Sequence, residues 1–356
     1  MIGVPSRMLL TTDAVGGVWG YTLALADGLA RRGCRCTVAV LGPPPDAAQR
    51  RAVAAHALVE TGLPLDWLAE DAGELSASAA ELVGVAEAAG CRAMHLHTPA
   101  LAYAPWPMPP VAVAHSCVAT WWEAMRGGEP PSDFAWRRDA MARGIEAAAA
   151  VIAPSAAFAA ALRRVYRCDA AVVHNGLPWT EVPDAARERS VLAAGRLWDE
   201  GKGMRLLDAA AALLDVPVRV AGPLRGDNGE SLEPRHLLPL GVLDPASLRA
   251  ACARAGVFAA PSRYEPFGLA VLEAAQLATP LVLADIPTFR ELWDGAALFV
   301  PERTPQAWAK TLRELLDDAG LRAGLGLRAQ RRARRYSVDA MVDATLAVHA
   351  ANYVTG

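Results

Sequence analysis

Features that mark several common protein classes are missing from this sequence of 356 residues. No apolar run reaches about 18 residues, the length that a membrane-spanning helix requires, and the polar start does not resemble a signal peptide. The six cysteines are scattered at spacings that fit neither a disulfide framework nor a zinc site. These absences favour a cytoplasmic protein that is soluble or held peripherally at the inner face of the membrane.

The chain also lacks an excess of charge of either sign. Its 35 basic and 38 acidic residues leave a formal net charge of −3, which provides no electrostatic footprint for nucleic acid. Hydrophobic residues make up 53% of the chain and charged residues 21%, enough to build cores and unlike a disordered chain. At ~100–200 residues per domain, the length predicts two or three domains.

Short apolar runs alternate with alanine-rich helical stretches. In the first half the predicted strands are 7–12, 37–41, 93–97, 111–115, 151–153 and 171–173. The alternation is interrupted at residues 176–184, a stretch with two prolines and no periodicity. It resumes in the second half, where the predicted strands are 190–195, 216–221, 256–260 and 281–284. This alternation predicts an α/β fold with two Rossmann-like parallel-sheet domains, residues 1–178 and 179–336, facing each other across a cleft.

One segment of the second half, residues 261–275, combines groups suited to a nucleotide. It follows a predicted strand and becomes helical near Phe267, and a helix N-terminus presents free N–H groups to a phosphate. Gly268 lets a ligand approach the backbone closely. Glu265 and Glu273 are placed to hold hydroxyl groups on either side of a diphosphate. Taken alone, a loop acid and an exposed helix acid explain the pair equally well.

A second segment supports the nucleotide interpretation. The strand ending at residue 195 leads into Gly195-Arg196-Leu197, and Lys202-Gly203 follow just before a helix. A strand end, a glycine and two cations at a helix start form an anion site. Two ordinary surface cations are the alternative, but these lie at the carboxyl end of a parallel strand, where ligands bind.

The first half opens with a different glycine pattern. Gly16, Gly17 and Gly20 follow the first strand but do not fit the G-x-G-x-x-G spacing, and no acid closes the second strand. A dinucleotide-binding dehydrogenase is therefore disfavoured. The glycine pair is still suited to a chain that passes close to a phosphate or sugar.

Taken together, these motifs resemble the retaining glycosyltransferases of family 4, also called group 1, which have the GT-B fold. The similarity runs over essentially the whole chain and is most specific in residues 195–203 and 261–274. It is supported by Gly16-Gly17, by residues 95–99, by Ser155 and by Asn175-Gly176. Ala278 departs from the family pattern, which often has glycine there. The resemblance also implies that the C-terminal helix, residues 337–356, completes the first domain.

The resemblance implies a role for each matching residue of the second domain. Arg196 and Lys202 bind the donor's diphosphate and stabilise the charge that develops as it leaves. Glu273 binds the ribose hydroxyls. The transferred sugar is held by Glu265 and by the backbone of three residues, Phe267, Gly268 and Leu269.

In the first domain, the resemblance places the Gly16-Gly17 loop over the phosphates and His97 near the reacting sugar, with His95 as the alternative register. The chain has no D-x-D triplet, and the fold uses protein cations where other transferases use a metal ion. No cofactor and no metal are therefore expected. Retention is expected to proceed by front-face transfer, with Glu265 stabilising charge rather than forming a covalent bond, unlike the two-carboxylate glycosidases.

The sequence leaves the acceptor open as a glycan, a lipid or a small molecule. Aromatic residues concentrate in the first domain and offer either a sugar-stacking platform or core packing: Trp19, Tyr21, Trp121, Trp122 and Trp136. His115 closes a predicted strand and lines the cleft or is a structural histidine. Arg137, Arg138 and Arg143 would suit an anionic membrane surface. The basic run 328–335 is interpreted first as a solvated helix face.

Three points of function stay open at this level. UDP-sugars are the first expectation for the donor and GDP-mannose the second. A GT-B-like nucleotide-sugar epimerase or hydrolase, or a non-catalytic nucleotide-binding protein, would share the two domains. Turnover with an acceptor separates the transferase from both. The oligomeric state is not readable from the sequence.

Overall fold

A computed structural model of the chain describes residues 4–128, 130–182, 186–226 and 229–352. The chain divides into two compact units: Met1–Pro178 with Val338–Gly356 is unit 1, and Trp179–Ser337 is unit 2. Each unit contains one parallel sheet, of seven and six strands respectively. The prediction of two Rossmann-like α/β sheets is confirmed. The last residues of the predicted linker, 183 and 184, lie outside the described residues.

The unit 1 sheet has the order β3-β2-β1-β4-β5-β6-β7. Its strands are β1 (Arg7–Asp13), β2 (Arg35–Leu41), β3 (Ala57–Glu60), β4 (Ala93–Leu96), β5 (Val111–Val113), β6 (Ala150–Ala153) and β7 (Ala171–Val172). Its helices are α1 (Gly17–Ala30), α2 (Ala47–Ala52), α3 (Ala72–Ala88), α4 (Val118–Met125), α5 (Ser132–Ala147), α6 (Ala156–Tyr166) and α13 (Val338–Asn352), with a 3₁₀ turn at Pro99–Ala102.

The unit 2 sheet has the order β10-β9-β8-β11-β12-β13. Its strands are β8 (Val191–Ala194), β9 (Val218–Ala221), β10 (Leu238–Pro239), β11 (Val257–Ala260), β12 (Leu281–Ala284) and β13 (Leu298–Val300). Its helices are α7 (Met204–Ala211), α8 (Pro245–Arg254), α9 (Leu269–Gln276), α10 (Pro287–Trp293), α11 (Pro305–Asp317) and α12 (Ala319–Ala333), with a 3₁₀ turn at Glu200–Lys202.

The last described helix belongs to the core of unit 1, although it follows all of unit 2 in the sequence. Met341, Val342 and Leu346 of α13 are buried with residues of α1 and the sheet. Gly28 of α1 makes this approach possible, because a Cβ there would come within 2.4 Å of a methyl carbon of Val342. The chain therefore completes its first sheet domain with its last helix.

The structure differs from the sequence prediction mainly at element ends. The helix expected near Phe267 begins at Leu269, because Gly268 adopts φ 93°, which a helix interior does not allow. His97 and His115 lie just beyond their strands, in the segments that follow the carboxyl ends. Strands β3, β10 and β13 have no counterpart in the prediction.

The basic run 328–335 is more than a solvated face. Arg328 donates to the Gly295 carbonyl, and Arg332 donates to the carbonyls of Leu292 and Asp294. These carbonyls lie at the C-terminal end of α10, where cations satisfy unpaired acceptors and the helix dipole. Within the described ranges, no helix is long and apolar enough to cross a membrane.

Candidate active site

The candidate donor site of unit 2 starts where β8 ends. Gly195 has φ 144°, and Gly222, which follows β9, has φ 138°. A Cβ on Gly222 would lie 1.9 Å from the Gly195 carbonyl oxygen, so the two strand ends approach as closely as backbone allows. A Cβ on Gly195 would lie 3.9 Å from Cε of Lys202, which places the Lys202 side chain beside this strand end.

Asp199 organises the turn that carries both cations. Its Oδ1 accepts the Gly201 N–H at 2.8 Å, and its Oδ2 accepts from the Arg196 guanidinium at 3.2 Å. The Asp199 side chain is 8% exposed, whereas Arg196 is 46% exposed. The buried carboxylate therefore holds one end of a guanidinium whose remaining donors face solvent and are available to an anion.

The loop that carries Glu265 is tied to this turn through the backbone. The N–H groups of Arg263 and Tyr264 both donate to the Gly201 carbonyl, at 2.8 and 3.2 Å. Arg303 holds the other side of the loop, since its guanidinium donates to the Pro261 carbonyl at 2.8 Å. Burial lowers the pKa of Arg303, because it disfavours the charged guanidinium. The hydrogen bond to the Pro261 carbonyl offsets part of that desolvation cost. The two sequence signatures of the second half therefore form one structure.

Lys202 and Glu265 are in direct contact. Lys202 Nζ lies 2.6 Å from Glu265 Oε2, and the side chains are only 16% and 13% exposed. Removing one partner of such a sheltered pair would leave the other charge buried without a counter-charge, which carries a high desolvation cost. The sequence prediction gave these residues separate tasks, one toward the diphosphate and one toward the sugar. The structure shows that each also neutralises and orients the other.

The start of α9 lies next to the Glu265 carboxylate. Gly268 occupies the residue before the helix, and a Cβ there would come within 3.4 Å of Glu265 Cγ. Phe267 is buried and packs edge-on against Tyr336 at 5.6 Å. Leu269 is the first helical residue, so its N–H is one of the groups without an intrahelical partner. Anion-binding N–H groups and the Lys202–Glu265 pair therefore share one corner of the unit.

Glu273 lies one turn into α9 and is half-buried. Burial raises its pKa to about 7, and the positive charge of Arg249 offsets only part of that effect. Within the described residues, no hydrogen bond or ion pair engages its carboxylate. A sheltered carboxylate with open acceptor capacity is suited to a pair of hydroxyl groups.

In unit 1, the glycine pair predicted to lie over the phosphates follows the carboxyl end of β1. Asp13 Oδ1 accepts the N–H groups of Val15 and Gly16, at 2.9 and 3.1 Å, and so fixes the turn. Gly16 precedes α1 and Gly17 is its first residue. A Cβ on Gly16 would meet nothing within 4 Å, so the space beside this turn is open.

The ring of His97 is held through its Nδ1 atom. The Thr22 hydroxyl lies 3.0 Å from His97 Nδ1, 2.9 Å from Thr12 Oγ1 and 2.8 Å from the Val18 carbonyl oxygen. The Thr22 contact therefore fixes the orientation of the imidazole ring, whichever of the two atoms is the donor.

The Nε2 atom of His97 is buried and has no hydrogen-bond partner among the described residues. Burial and the neighbouring His115 and His95 hold the pKa of His97 well below its usual value, so the ring is neutral at pH 7. A neutral imidazole carries one N–H and one lone pair, so Nε2 can exchange a hydrogen bond with a hydroxyl group in either tautomer. The chemistry available is recognition of a hydroxyl group.

His97 belongs to a buried cluster of aromatic rings. The ring of Tyr21 lies 5.3 Å from His97 and 4.6 Å from His115, both edge-on. His95 Nδ1 lies 3.2 Å from Nε2 of His349, on α13. The structure thus brings His97 and His115 together, with ring centroids 5.2 Å apart, and adds His349, which no local pattern connects to them.

The aromatic residues proposed as an acceptor platform divide into two groups. Tyr21 is 1% exposed, and Trp19 is 8% exposed and packs with Val38, Val40 and Val53, so the structure favours core packing for both. Trp121, on α4, is partly exposed and carries the Arg126 guanidinium 5.4 Å above its ring.

Sequence reasoning missed three organising residues, namely Asp199, Asp13 and Thr22. The first two are detectable in principle, since an Asp two or three residues before a turn N–H is a common capping pattern. Thr22 has no such local signal, because its partner His97 is distant in the chain. Across the parts of the chain that the structure describes, no group of three or more His, Cys, Asp or Glu side chains could hold a metal ion.

Two α/β units with one parallel sheet each, of seven and six strands, define a protein of GT-B type. Residues 15–178 match the family described as Glycosyltransferase Family 4, and residues 188–318 match the family described as Glycosyl transferases group 1. The chain belongs to the GT-B glycosyltransferases, as the sequence motifs indicated.

Two curated relatives are similar over part of the chain. A D-inositol 3-phosphate glycosyltransferase from Kineococcus radiotolerans is 45% identical over 105 residues, 27% of this chain and 24% of the relative. A phosphatidyl-myo-inositol mannosyltransferase from Mycolicibacterium smegmatis is 36% identical over 188 residues, 47% of this chain and 48% of the relative. The similar stretches thus span half or less of these relatives.

A solved structure is similar over nearly the whole chain. The Anabaena protein HepE, in complex with UDP-glucose, superposes with a TM-score of 0.75 and covers 98% of this chain and 100% of its own. The sequence identity is 19%, so this likeness establishes the shared fold.

Proposed function

We propose that the protein transfers a sugar from a nucleoside-diphosphate sugar to an acceptor hydroxyl, with retention of configuration and without a metal ion. The observation that carries the proposal is the Lys202–Glu265 pair, 2.6 Å apart beside the start of α9. A diphosphate that enters this corner meets the Lys202 ammonium, the solvent-facing donors of Arg196 and the N–H groups of the helix start. These groups supply the positive charge that a leaving diphosphate requires.

The remaining side chains provide sites for the two sugars of the donor. Glu273 is the candidate partner for the ribose hydroxyls, and Glu265 with the backbone of residues 267–269 is the candidate site for the transferred sugar. When the diphosphate engages Lys202, the Glu265 carboxylate stays close to the anomeric carbon and can stabilise the positive charge that develops there. The leaving phosphate oxygen then accepts the acceptor's proton, so no protein base is required.

The relatives support a choice of donor and acceptor classes. HepE is solved with UDP-glucose, which supports a UDP-sugar, while the mannosyltransferase relative supports GDP-mannose as the alternative. The names of both curated relatives contain inositol, which supports a hydroxylated ring as the acceptor. A cytoplasmic location, with peripheral contact with a membrane, belongs to the same proposal.

Nucleotide binding tests the donor site directly. We expect one of UDP, GDP and ADP to bind by calorimetry and thermal shift, equally with magnesium and with EDTA. The double variant Arg196→Ala, Lys202→Ala should lose at least tenfold in affinity. The chain has only two lysines, so Lys310→Ala, at a side chain 75% exposed, is the matched control and should bind like the wild type. Binding of none of the three nucleotides would overturn the proposal.

Product analysis tests the stereochemistry. With the preferred donor and a hydroxylated acceptor, the new glycosidic bond should have the anomeric configuration of the donor, as read by proton NMR coupling constants. An inverted product would contradict the front-face mechanism. A glycosyl-Glu265 adduct detected by mass spectrometry would show a covalent route instead.

A further inference from the structure

The loop that carries Glu265 begins with two carbonyl groups that lie past the end of a strand. Strand β11 ends at Ala260, so the carbonyls of Pro261 and Ser262 lie beyond its pairing with β12. Both residues are buried. A buried backbone acceptor requires a donor, because its desolvation is otherwise uncompensated. The position of this loop therefore depends on the group that supplies the donors.

Arg303 supplies these donors from a distant part of unit 2. Its Nη2 donates to the Pro261 carbonyl at 2.8 Å, and its Nη1 makes a longer contact of 3.5 Å with the Ser262 carbonyl. A guanidinium is suited to this task, because its planar fork presents N–H groups to two acceptors at once. One side chain thus holds two consecutive carbonyls of the loop that leads to Glu265.

The segment that carries Arg303 is itself anchored. It connects β13 to α11, and the Thr304 side chain caps the helix by accepting the Ala307 N–H at 3.3 Å. Trp308 and Leu312 of α11 are fully buried. Arg303 therefore extends from the start of a packed helix, and its guanidinium is a fixed tether for the loop.

Gly203 encloses the same carbonyl from the segment that carries Lys202. A Cβ on Gly203 would lie 2.3 Å from the Pro261 carbonyl oxygen and 3.2 Å from Nη2 of Arg303. Gly203 has φ 71°, a conformation that favours glycine. The Pro261 carbonyl is thus in close contact with the Lys202 segment on one side and with Arg303 on the other.

The contact between Glu265 and Lys202 is sensitive to small movements of this loop. Glu265 Oε2 lies 2.6 Å from Lys202 Nζ. A displacement of about 1 Å takes this distance beyond that of a hydrogen bond. Without the Arg303 guanidinium, the buried carbonyls of Pro261 and Ser262 would have to move toward water or another donor. The loop that carries Glu265 would move with them.

We propose that Arg303 is a positioning residue of the candidate donor site. By holding the carbonyls of Pro261 and Ser262, it keeps the Glu265 carboxylate against the Lys202 ammonium. Because Glu265 is the candidate partner of the transferred sugar, Arg303 acts on the sugar and not on the nucleotide. This consequence rests on the proposed function, whereas the positioning of the ion pair does not.

Lysine ammonium NMR tests the positioning directly, because the chain has only two lysines. Isotope labelling at Nζ restricts the spectrum to Lys202 and Lys310. Lys202 is 16% exposed and ion-paired, whereas Lys310 is 75% exposed and serves as the internal reference. Glu265→Gln removes the partner carboxylate and defines the signal of an unpaired Lys202. We expect the Lys202 signal of Arg303→Met to move most of the way to that position.

Two further variants separate positioning from a general loss of structure. Arg303→Lys keeps one donor for the Pro261 carbonyl and should retain at least half of the difference from the unpaired signal. Arg313 is the matched control, because it lies on α11 and its Nη2 donates to the Leu213 carbonyl at 2.6 Å. Arg313→Met should leave the Lys202 signal unchanged. A Lys202 signal in Arg303→Met that coincides with the wild type would overturn the proposal, as would an equal shift in Arg313→Met.

Binding and turnover test the consequence for the sugar. Arg303→Met should bind the preferred nucleotide as tightly as the wild type, because Arg196 and Lys202 are retained, and kcat should fall at least tenfold at saturating donor. Arg303→Lys should recover most of kcat. An equal loss of nucleotide affinity in Arg303→Met and Lys202→Ala would make Arg303 a phosphate ligand and overturn the proposal. If the NMR shift appears and the wild type binds no nucleotide, the proposed function is wrong and the positioning of Glu265 stands.

Discussion

At the scale of single residues, Glu273 shows how a partly enclosed carboxylate can lower the stability of the protein that carries it. Burial raises its pKa to about 7 from an ordinary value near 4.5. Between those values the folded chain holds a proton that the unfolded chain has released, so stability falls as the pH rises through this window. The loss of stability is complete above pH 7, and it amounts to about 3 kcal/mol of unfolding free energy at most.

Replacing this carboxylate should therefore stabilise the free protein and impair the site. We expect Glu273→Gln to raise the free energy of unfolding at pH 8 by up to about 3 kcal/mol, with little change at pH 4.5, because the neutral amide avoids the charge burial. Urea unfolding at the two pH values measures this. Nucleotide affinity at pH 8 should fall at least tenfold by calorimetry.

The exposed Glu314, with 60% of its side chain accessible, provides the control. Glu314→Gln should alter neither the pH dependence of stability nor nucleotide affinity. A gain in stability from Glu273→Gln that is equal at pH 4.5 and pH 8 would show that Glu273 is not buried in its charged form.

Ala278 is a second residue whose identity conflicts with its conformation. It follows α9 with φ 54°, and Thr279 N–H bonds back to the Ala274 carbonyl at 3.0 Å, an arrangement that usually contains glycine. Ala278→Gly should stabilise the protein by about 1 kcal/mol, because glycine adopts the left-handed region without a steric cost. Thermal and urea unfolding measure the change.

A helical alanine gives the opposite expectation. Ala323 is exposed in the middle of α12, so Ala323→Gly should destabilise the protein by about 1 kcal/mol. If both substitutions destabilise equally, the left-handed conformation of Ala278 carries no strain.

At the scale of elements, α13 is joined to the sheet of unit 1 through a histidine pair. Burial lowers the pKa of His349 to about 4, and His95, its partner at 3.2 Å, is shifted in the same direction. The unfolded chain takes up protons near pH 6.5 and the folded chain resists them until about pH 4. Stability is therefore full above pH 6.5 and declines as the pH falls toward 4.

This linkage predicts an acid-sensitive helix. Proton uptake linked to His349 alone should lower the free energy of unfolding by about 3 kcal/mol between pH 6.5 and 4. His349→Gln should therefore flatten the pH dependence of the unfolding free energy over that range by a comparable amount. Hydrogen exchange of α13 at pH 7 and pH 5 provides the element-specific readout. His236→Gln, at an exposed histidine, should leave the profile unchanged. An identical slope in His349→Gln and wild type would contradict the linkage.

At the scale of the whole molecule, one unit is continuous in sequence and the other is not. Unit 2 lies within residues 179–337, whereas unit 1 requires α13 to close its core. A chain ended after Ser337 loses the buried Met341, Val342 and Leu346, and each such loss costs about 2–5 kcal/mol. The sum is comparable with the whole stability of a domain.

We expect this truncation to unfold unit 1 and to spare unit 2. Hydrogen exchange followed by mass spectrometry should show lost protection in peptides of β1, β4 and α1, with protection retained in β8, β11 and α9. A variant that keeps the helix but carries Asp343→Asn, at a side chain 67% exposed, controls for the altered C-terminal region. Retained protection of the unit 1 strands in the truncated chain would contradict the discontinuous core.

The candidate donor site could be proposed from the sequence because its groups lie in two short segments. Arg196 with Lys202 and Glu265 with Glu273 follow strand ends, and the carboxyl ends of parallel strands meet at one edge. The segments did not indicate that Lys202 and Glu265 pair, or that Asp199 positions Arg196. Those contacts depend on the register between β8 and β11. Lys202 and Glu265, which follow these two strands, are 63 residues apart in the sequence.

The first half was less predictable at its candidate functional residues. The glycine turn and His97 were proposed from pattern, whereas Trp19 and Tyr21 were left open between an acceptor platform and core packing. Thr22 gave no signal, since its partner His97 is 75 positions away. Local periodicity reports which face of an element is apolar, and it does not report which distant side chain covers it.

The sequence by itself determined the two-sheet α/β architecture and the segments that form the candidate donor site, because both depend on spacing within stretches of fewer than about 20 residues. Only the tertiary structure decided the raised pKa of Glu273 and the pairing of Lys202 with Glu265. Each of these depends on burial and on neighbours from other parts of the chain. Desolvation and hydrogen-bond geometry exist only once the chain has folded.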